Sequence, residues 1–133
     1  MNDEKSDKWW VNISDELLEK FIQGWFTELD LDDEDNSQFG EDVVHMNFFA
    51  SEEFQWKFIM RAFTLAYDAN HLSAMAAGPV EHLLAFHGEK WIEKIEKESL
   101  VNDNFAWMMT SVWQHKMSDE IWNRVQIIQK QSE

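Results

Sequence analysis

Residues 72–99 read LSAMAAGPVEHLLAFHGEKWIEKIEKES, and this stretch decides the fold. Ala74, Ala76 and Ala77 are small enough for another helix to approach closely. Gly78 is placed to end a helix, because a residue without Cβ enters the left-handed region cheaply. Pro79 then suits the first turn of the next helix, where its missing N–H goes unneeded. Val80, Leu83 and Leu84, with Ala85 and Phe86 more weakly, give that helix an apolar face, and Gly88 closes it. Trp91, Ile92 and Ile95 open a third helix whose other face is Lys90, Glu93, Lys94, Glu96 and Lys97. The reading is three short helices with tight corners, the folding centre of a helical chain.

Outward from this centre the apolar residues keep helical spacing. Ser14-Asp15-Glu16, Ser51-Glu52-Glu53 and Ser118-Asp119-Glu120 each set an N-cap hydroxyl before carboxylates that the helix dipole favours. Leu17, Leu18, Phe21, Ile22, Trp25, Phe26 and Leu29 follow the first start, and a helix over about 38–49 uses Phe39, Val43, Met46 and Phe49. The segment 52–67 is apolar on most sides, which predicts a central, buried helix. Phe105, Met108, Met109, Val112 and Trp113 form a further stripe, and Ile121, Trp122, Val125 and Ile128 the last. No alternation of period two appears. The expected fold is all-α: about eight short helices packed as antiparallel pairs, or as a small HEAT-like superhelical stack. An N-terminal arm over 1–12, in which Trp9 and Trp10 dock, would precede a single helical domain over 13–131 with an acidic loop at about 28–38.

Charge narrows the function. Twenty-six acids against eleven bases give −15, and residues 1–42 hold fourteen of those acids with three bases. Such a field repels nucleic acid and anionic lipid, which are bound through Lys and Arg, and draws in cationic partners. With 44% apolar residues, including eight Trp and ten Phe, the chain folds rather than solvates. The absence of cysteine removes disulfides and thiolate metal sites. The N-terminus has no apolar signal region, so the expected compartment is the cytoplasm, away from membranes.

Candidate chemistry is sparse. Asp30, Asp32, Glu34 and Glu41 match positions 1, 3, 5 and 12 of a calcium loop, but position 6, which needs Gly, is Asp35. Glu81, His82 and His87 are the one acid–imidazole cluster near the centre. Two His five apart share no helix face, and His87 beside Gly88 reads as a helix C-terminal imidazole. His45, His71 and His115 are scattered. No phosphate loop or nucleophile elbow is present. The expectation is no catalytic residue, no metal and no cofactor.

Ala76-Ala77-Gly78-Pro79-Val80-Glu81-His82-Leu83-Leu84, then His87-Gly88, Ile92, Ile95-Glu96, Phe105, Val112-Trp113, Met117, Ile121-Trp122 and Arg124-Val125-Gln126, resemble an uncharacterised bacterial family of small helical proteins. Its pattern is AAGPLE-x-LL-x-x-HG, an acid-rich helix, a G-V-W segment and a W-x-R-V-Q ending. The resemblance covers Leu72 to Gln129 and departs at Ser111, where the family has Gly, and at Asp103-Asn104, where it has Asp-Pro. It implies a helical fold and a bacterial source, and assigns no activity. In general character the chain is also similar to immunity proteins encoded beside polymorphic or contact-dependent growth-inhibition toxins.

The expected function is therefore stoichiometric inhibition of a cationic toxin domain, a nuclease above all, since carboxylates can occupy the Lys and Arg that such an enzyme presents to phosphates. Partner-binding residues are Glu28, Asp30, Asp32, Asp33, Glu34, Asp35, Glu41 and Asp42, with Trp9 and Trp10 as aromatic anchors. The alternatives are a helical scaffold or adaptor, and a small enzyme with a polar pocket around His82, His87 or Arg124.

Overall fold

The computed structural model describes residues 9–10, 12–31 and 38–132. It is all-α, with no strand among the described residues. Among the described residues the elements are, in chain order, α1 (Asp15–Leu31), α2 (Gln38–Phe49), α3 (Glu52–Leu65), α4 (Ala69–Met75), a π turn (Ala76–Val80), α5 (Glu81–Val101), α6 (Asp103–Met109) and α7 (Asp119–Gln131). None is long and apolar enough to cross a membrane. The chain forms two compact units, residues 1–71 and 72–133.

In the first unit α2 and α3 pack on α1. The Ser14 hydroxyl accepts the Leu17 N–H at 3.1 Å and the Ser51 hydroxyl accepts that of Phe54 at 3.1 Å, so both starts are capped as their sequence dictates. α1 buries Leu18, Phe21, Ile22, Trp25 and Phe26, whereas Leu17 and Phe49, which keep the spacing, are 48% and 57% exposed. Trp10 is fully buried, its ring centroid 5.4 Å from Phe21 and 5.8 Å from Phe54. Phe39 lies across Gly24: a Cβ there would stand 2.6 Å from the ring. α3 is buried along Phe54, Gln55, Phe58, Ile59 and Ala62, as a central helix should be.

The second unit corrects the reading of 72–99. Gly78 does not end a helix in the left-handed region, since no glycine has positive φ, and the chain stays helical through it. Pro79 lacks the N–H and crowds the carbonyl four residues back. The helix widens into a π turn instead of breaking, and the Glu81 N–H reaches Ala76 O, five residues behind. Gly78 matters for another reason: a Cβ before proline in helical backbone meets the proline ring. Gly88 does not close a helix either. α5 kinks at His87 (φ −138°, ψ 26°) and runs on to Val101. Gly88 is buried where Ile121 crosses, and a Cβ there would lie 3.0 Å from Ile121 Cγ1. α5 packs against α6 and α7 around Leu83, Leu84, Ile92, Ile95, Phe105, Met108, Val125 and Ile128. The Asn102 side chain caps α6 through the N–H groups of Asn104 and Phe105, at 3.0 and 3.2 Å. Ser118 caps α7 through Ile121 at 3.2 Å.

Candidate functional site

The carboxylates singled out for partner binding divide by what holds them. Glu28, half-buried on α1, accepts the N–H groups of Phe39 and Gly40 at 2.7 and 2.9 Å. These are first-turn donors of α2 with no partner inside the helix, so Glu28 is a cap lent by the neighbouring helix. Asp30 accepts the Tyr67 hydroxyl at 2.6 Å and faces His71 Nε2 at 2.7 Å. The Tyr67 hydrogen bond, with that of His71 second, holds its carboxyl below the ordinary value. His71 is fully buried, stacked on Phe26 with centroids 4.1 Å apart, and its Nδ1 takes the Tyr67 N–H at 3.5 Å. Glu41 is exposed in the first turn of α2 and Asp42 is half-buried beside it. Asp32, Asp33, Glu34 and Asp35 lie outside the described residues. Trp10 is no anchor for a partner, because the core already encloses it, with its indole N–H on His45 Nδ1 at 3.4 Å.

A second cluster forms where sequence spacing gave no hint of one. Glu81 follows the π turn, and its side chain is 8% exposed. Its Oε2 accepts the Trp113 N–H at 3.0 Å and its Oε1 lies 3.0 Å from His115 Nε2. Burial pushes this carboxyl above its ordinary value, and the Trp113 N–H and His115 offset part of that. His115 is the one non-glycine residue with positive φ, 42°, among the described residues. The imidazole paired with Glu81 is thus that of His115, a residue far from it in sequence. Burial pushes His82 down, and His87 adds to it. The His82 ring tilts against Phe86 at 4.6 Å, and Lys116 lies 5.9 Å from the Phe86 centroid. Arg124 is committed to Glu96, donating from Nε at 2.9 Å and from Nη2 at 2.5 Å. A half-open cleft of about 650 Å³, lined by Leu100, Asp103, Trp107, Ile128 and Gln131 among others, brings no acid–imidazole pair together.

Several residues that carry the sequence resemblance lie at or beside this second cluster: Gly78 and Pro79 in the π turn, Glu81 directly after it, and Val112-Trp113 on the segment Glu81 holds, while His87-Gly88 form the kink farther along α5. A family model described as a family of unknown function, DUF6869, matches residues 27–133. That match begins well before Leu72, where the motif resemblance starts. No curated protein and no solved structure matches the chain.

Proposed function

The chain belongs to DUF6869, a family of unknown function, and we propose that it works by stoichiometric binding: an immunity protein that covers the cationic surface of a toxin domain, most simply a nuclease. One observation carries the reading, a net charge of −15 with fourteen acids and three bases in residues 1–42. The placement of the first unit's cations among the described residues supports it. Lys20, Lys57 and Arg61 pair with Glu16, Asp15 and Glu19 at 3.5, 3.1 and 2.6 Å, all in the first half of α1. Glu28 and Asp30 have internal hydrogen-bonding work, so the contact is assigned to Asp32, Asp33, Glu34, Asp35 and Glu41, with Asp42 beside them. A nuclease whose Lys and Arg are occupied by carboxylates cannot engage phosphates, and encounter between opposite fields is fast.

The test replaces Asp32, Asp33 and Asp35 by Asn and Glu34 by Gln, and measures association with a cationic toxin nuclease encoded beside the chain's gene. Slower association at low salt, with the difference closing as salt rises, is the expected result. Equal rates at low salt would remove this stretch from the interface.

A further inference from the structure

The segment between α6 and α7 is built to hold one side chain in solvent. Val112 and Met117 are buried as its footings, while Trp113 between them is 69% exposed. Glu81 fixes Trp113 N–H and His115 from below, as described. Gln129 Nε2 donates to Met109 O at 2.9 Å and to Val112 O at 3.0 Å on one side. Gln114 Nε2 donates to Met117 O at 3.2 Å and to Asp119 Oδ1 at 2.8 Å on the other. Two of these devices work against stability: a carboxylate is buried, and His115 sits in backbone that disfavours a side chain. Backbone strain persists only where surrounding structure over-determines it, and such places cluster at ligand clamps. With its backbone fixed, an exposed indole has only its two side-chain torsions to lose on binding, and Trp is enriched among interface hot spots.

The chemistry of the occupant follows from charge. Other aromatic faces of this unit already carry lysines: Lys90 and Lys94 stand 5.7 and 5.0 Å from the Trp91 centroid, and Lys116 stands over Phe86. Among the described residues no cation of the chain stands over Trp113. Asp119 and Glu120, both exposed, open α7 directly after the segment. The nearest basic side chains in sequence are His115, facing Glu81, and Lys116, turned onto Phe86.

We propose that Trp113 is an aromatic anchor of the second unit for a cationic protein partner and that its indole face takes an arginine of that partner. The inference rests on the reading under Proposed function. A guanidinium is planar and weakly hydrated, so it stacks on an indole better than an ammonium does, and the −15 chain favours its approach.

The experiment titrates the full chain, with its indole nitrogens isotopically labelled, with hexaarginine at low ionic strength. The Trp113 indole resonance is assigned from Trp113→Phe. It should shift and saturate with hexaarginine, shift less with hexalysine and stay in place with hexaglutamate. Trp113→Leu, which removes an exposed ring without touching the core, should weaken hexaarginine binding roughly threefold to tenfold, and Trp113→Phe should recover part of the loss. If hexaarginine binds while the Trp113 resonance stays put, the inference falls and the cationic-partner reading stands. If hexaarginine does not bind at all, both fall. A shift with hexaglutamate overturns the inference in favour of an anionic partner.

Discussion

Asp30 Oδ1 lies 2.7 Å from Nε2 of His71, a fully buried imidazole. With Nδ1 taking the Tyr67 N–H, the ring donates from Nε2, and Asp30 completes the pair while also accepting the Tyr67 hydroxyl at 2.6 Å. An acid that reads as a solvated interface charge is thus a pin between the end of α1 and the start of α4.

Asp30→Ala should lower the melting temperature clearly more than Glu89→Ala, an exposed control. The sign with pH follows from a carboxyl whose value folding depresses. Its contribution is present above the ordinary 3.8 and is lost as pH falls through the lowered value. The gap between Asp30→Ala and wild type should therefore narrow in acid, and thermal melts across pH check it. A gap that widened in acid would contradict the assignment.

Glu81 runs the other way. Folding raises its value above 4.5, so its own contribution is full below that point and is lost as pH rises through the raised value. Glu81→Gln keeps an acceptor for the Trp113 N–H and removes the buried charge. Relative to wild type, the variant should gain stability as pH rises through that window. Melts that show it losing ground instead would mean the carboxylate is better solvated than its burial implies.

The helical elements were legible in the sequence because their signals are local. Ser14, Ser51 and Ser118 announce their helices within three residues, and each hydroxyl makes the expected bond. Gly78-Pro79 was legible as a disturbance but not as its kind. The same pair can end a helix or widen it, and the packing of Val80, Leu83 and Leu84 keeps the chain helical. The pairs that hold the candidate site were not legible. Glu28 with the start of α2, Asp30 with His71, and Glu81 with His115 join residues distant in sequence, and no periodicity records which faces meet.

Gly78 and Pro79 should be coupled. With Pro79 in place, Gly78→Ala sets a Cβ against the proline ring and should not stabilise. In a Pro79→Ala background the same change should stabilise by about 0.5–1 kcal/mol, the helix-propensity difference. A double-mutant cycle by chemical denaturation measures the coupling, and strict additivity would show that the glycine is there for another reason.

Gly88→Ala should destabilise by about 1–3 kcal/mol, because the new Cβ would meet Ile121 Cγ1 at 3.0 Å and Cγ2 at 3.2 Å across a packed crossing. Adding Ile121→Ala to Gly88→Ala should cost less than Ile121→Ala costs in the wild-type background, since the smaller residue makes room. Equal costs in the two backgrounds would place the glycine's importance in the His87 kink and not in the crossing.

The most direct test of the proposed immunity function is to titrate the chain, at increasing salt, into any toxin domain whose gene proves to lie beside its own. The account predicts that a basic nuclease loses its activity at a one-to-one ratio, with an association rate that falls steeply as ionic strength rises. A neighbouring toxin whose activity is untouched, or a complex whose rate is flat in salt, would contradict it.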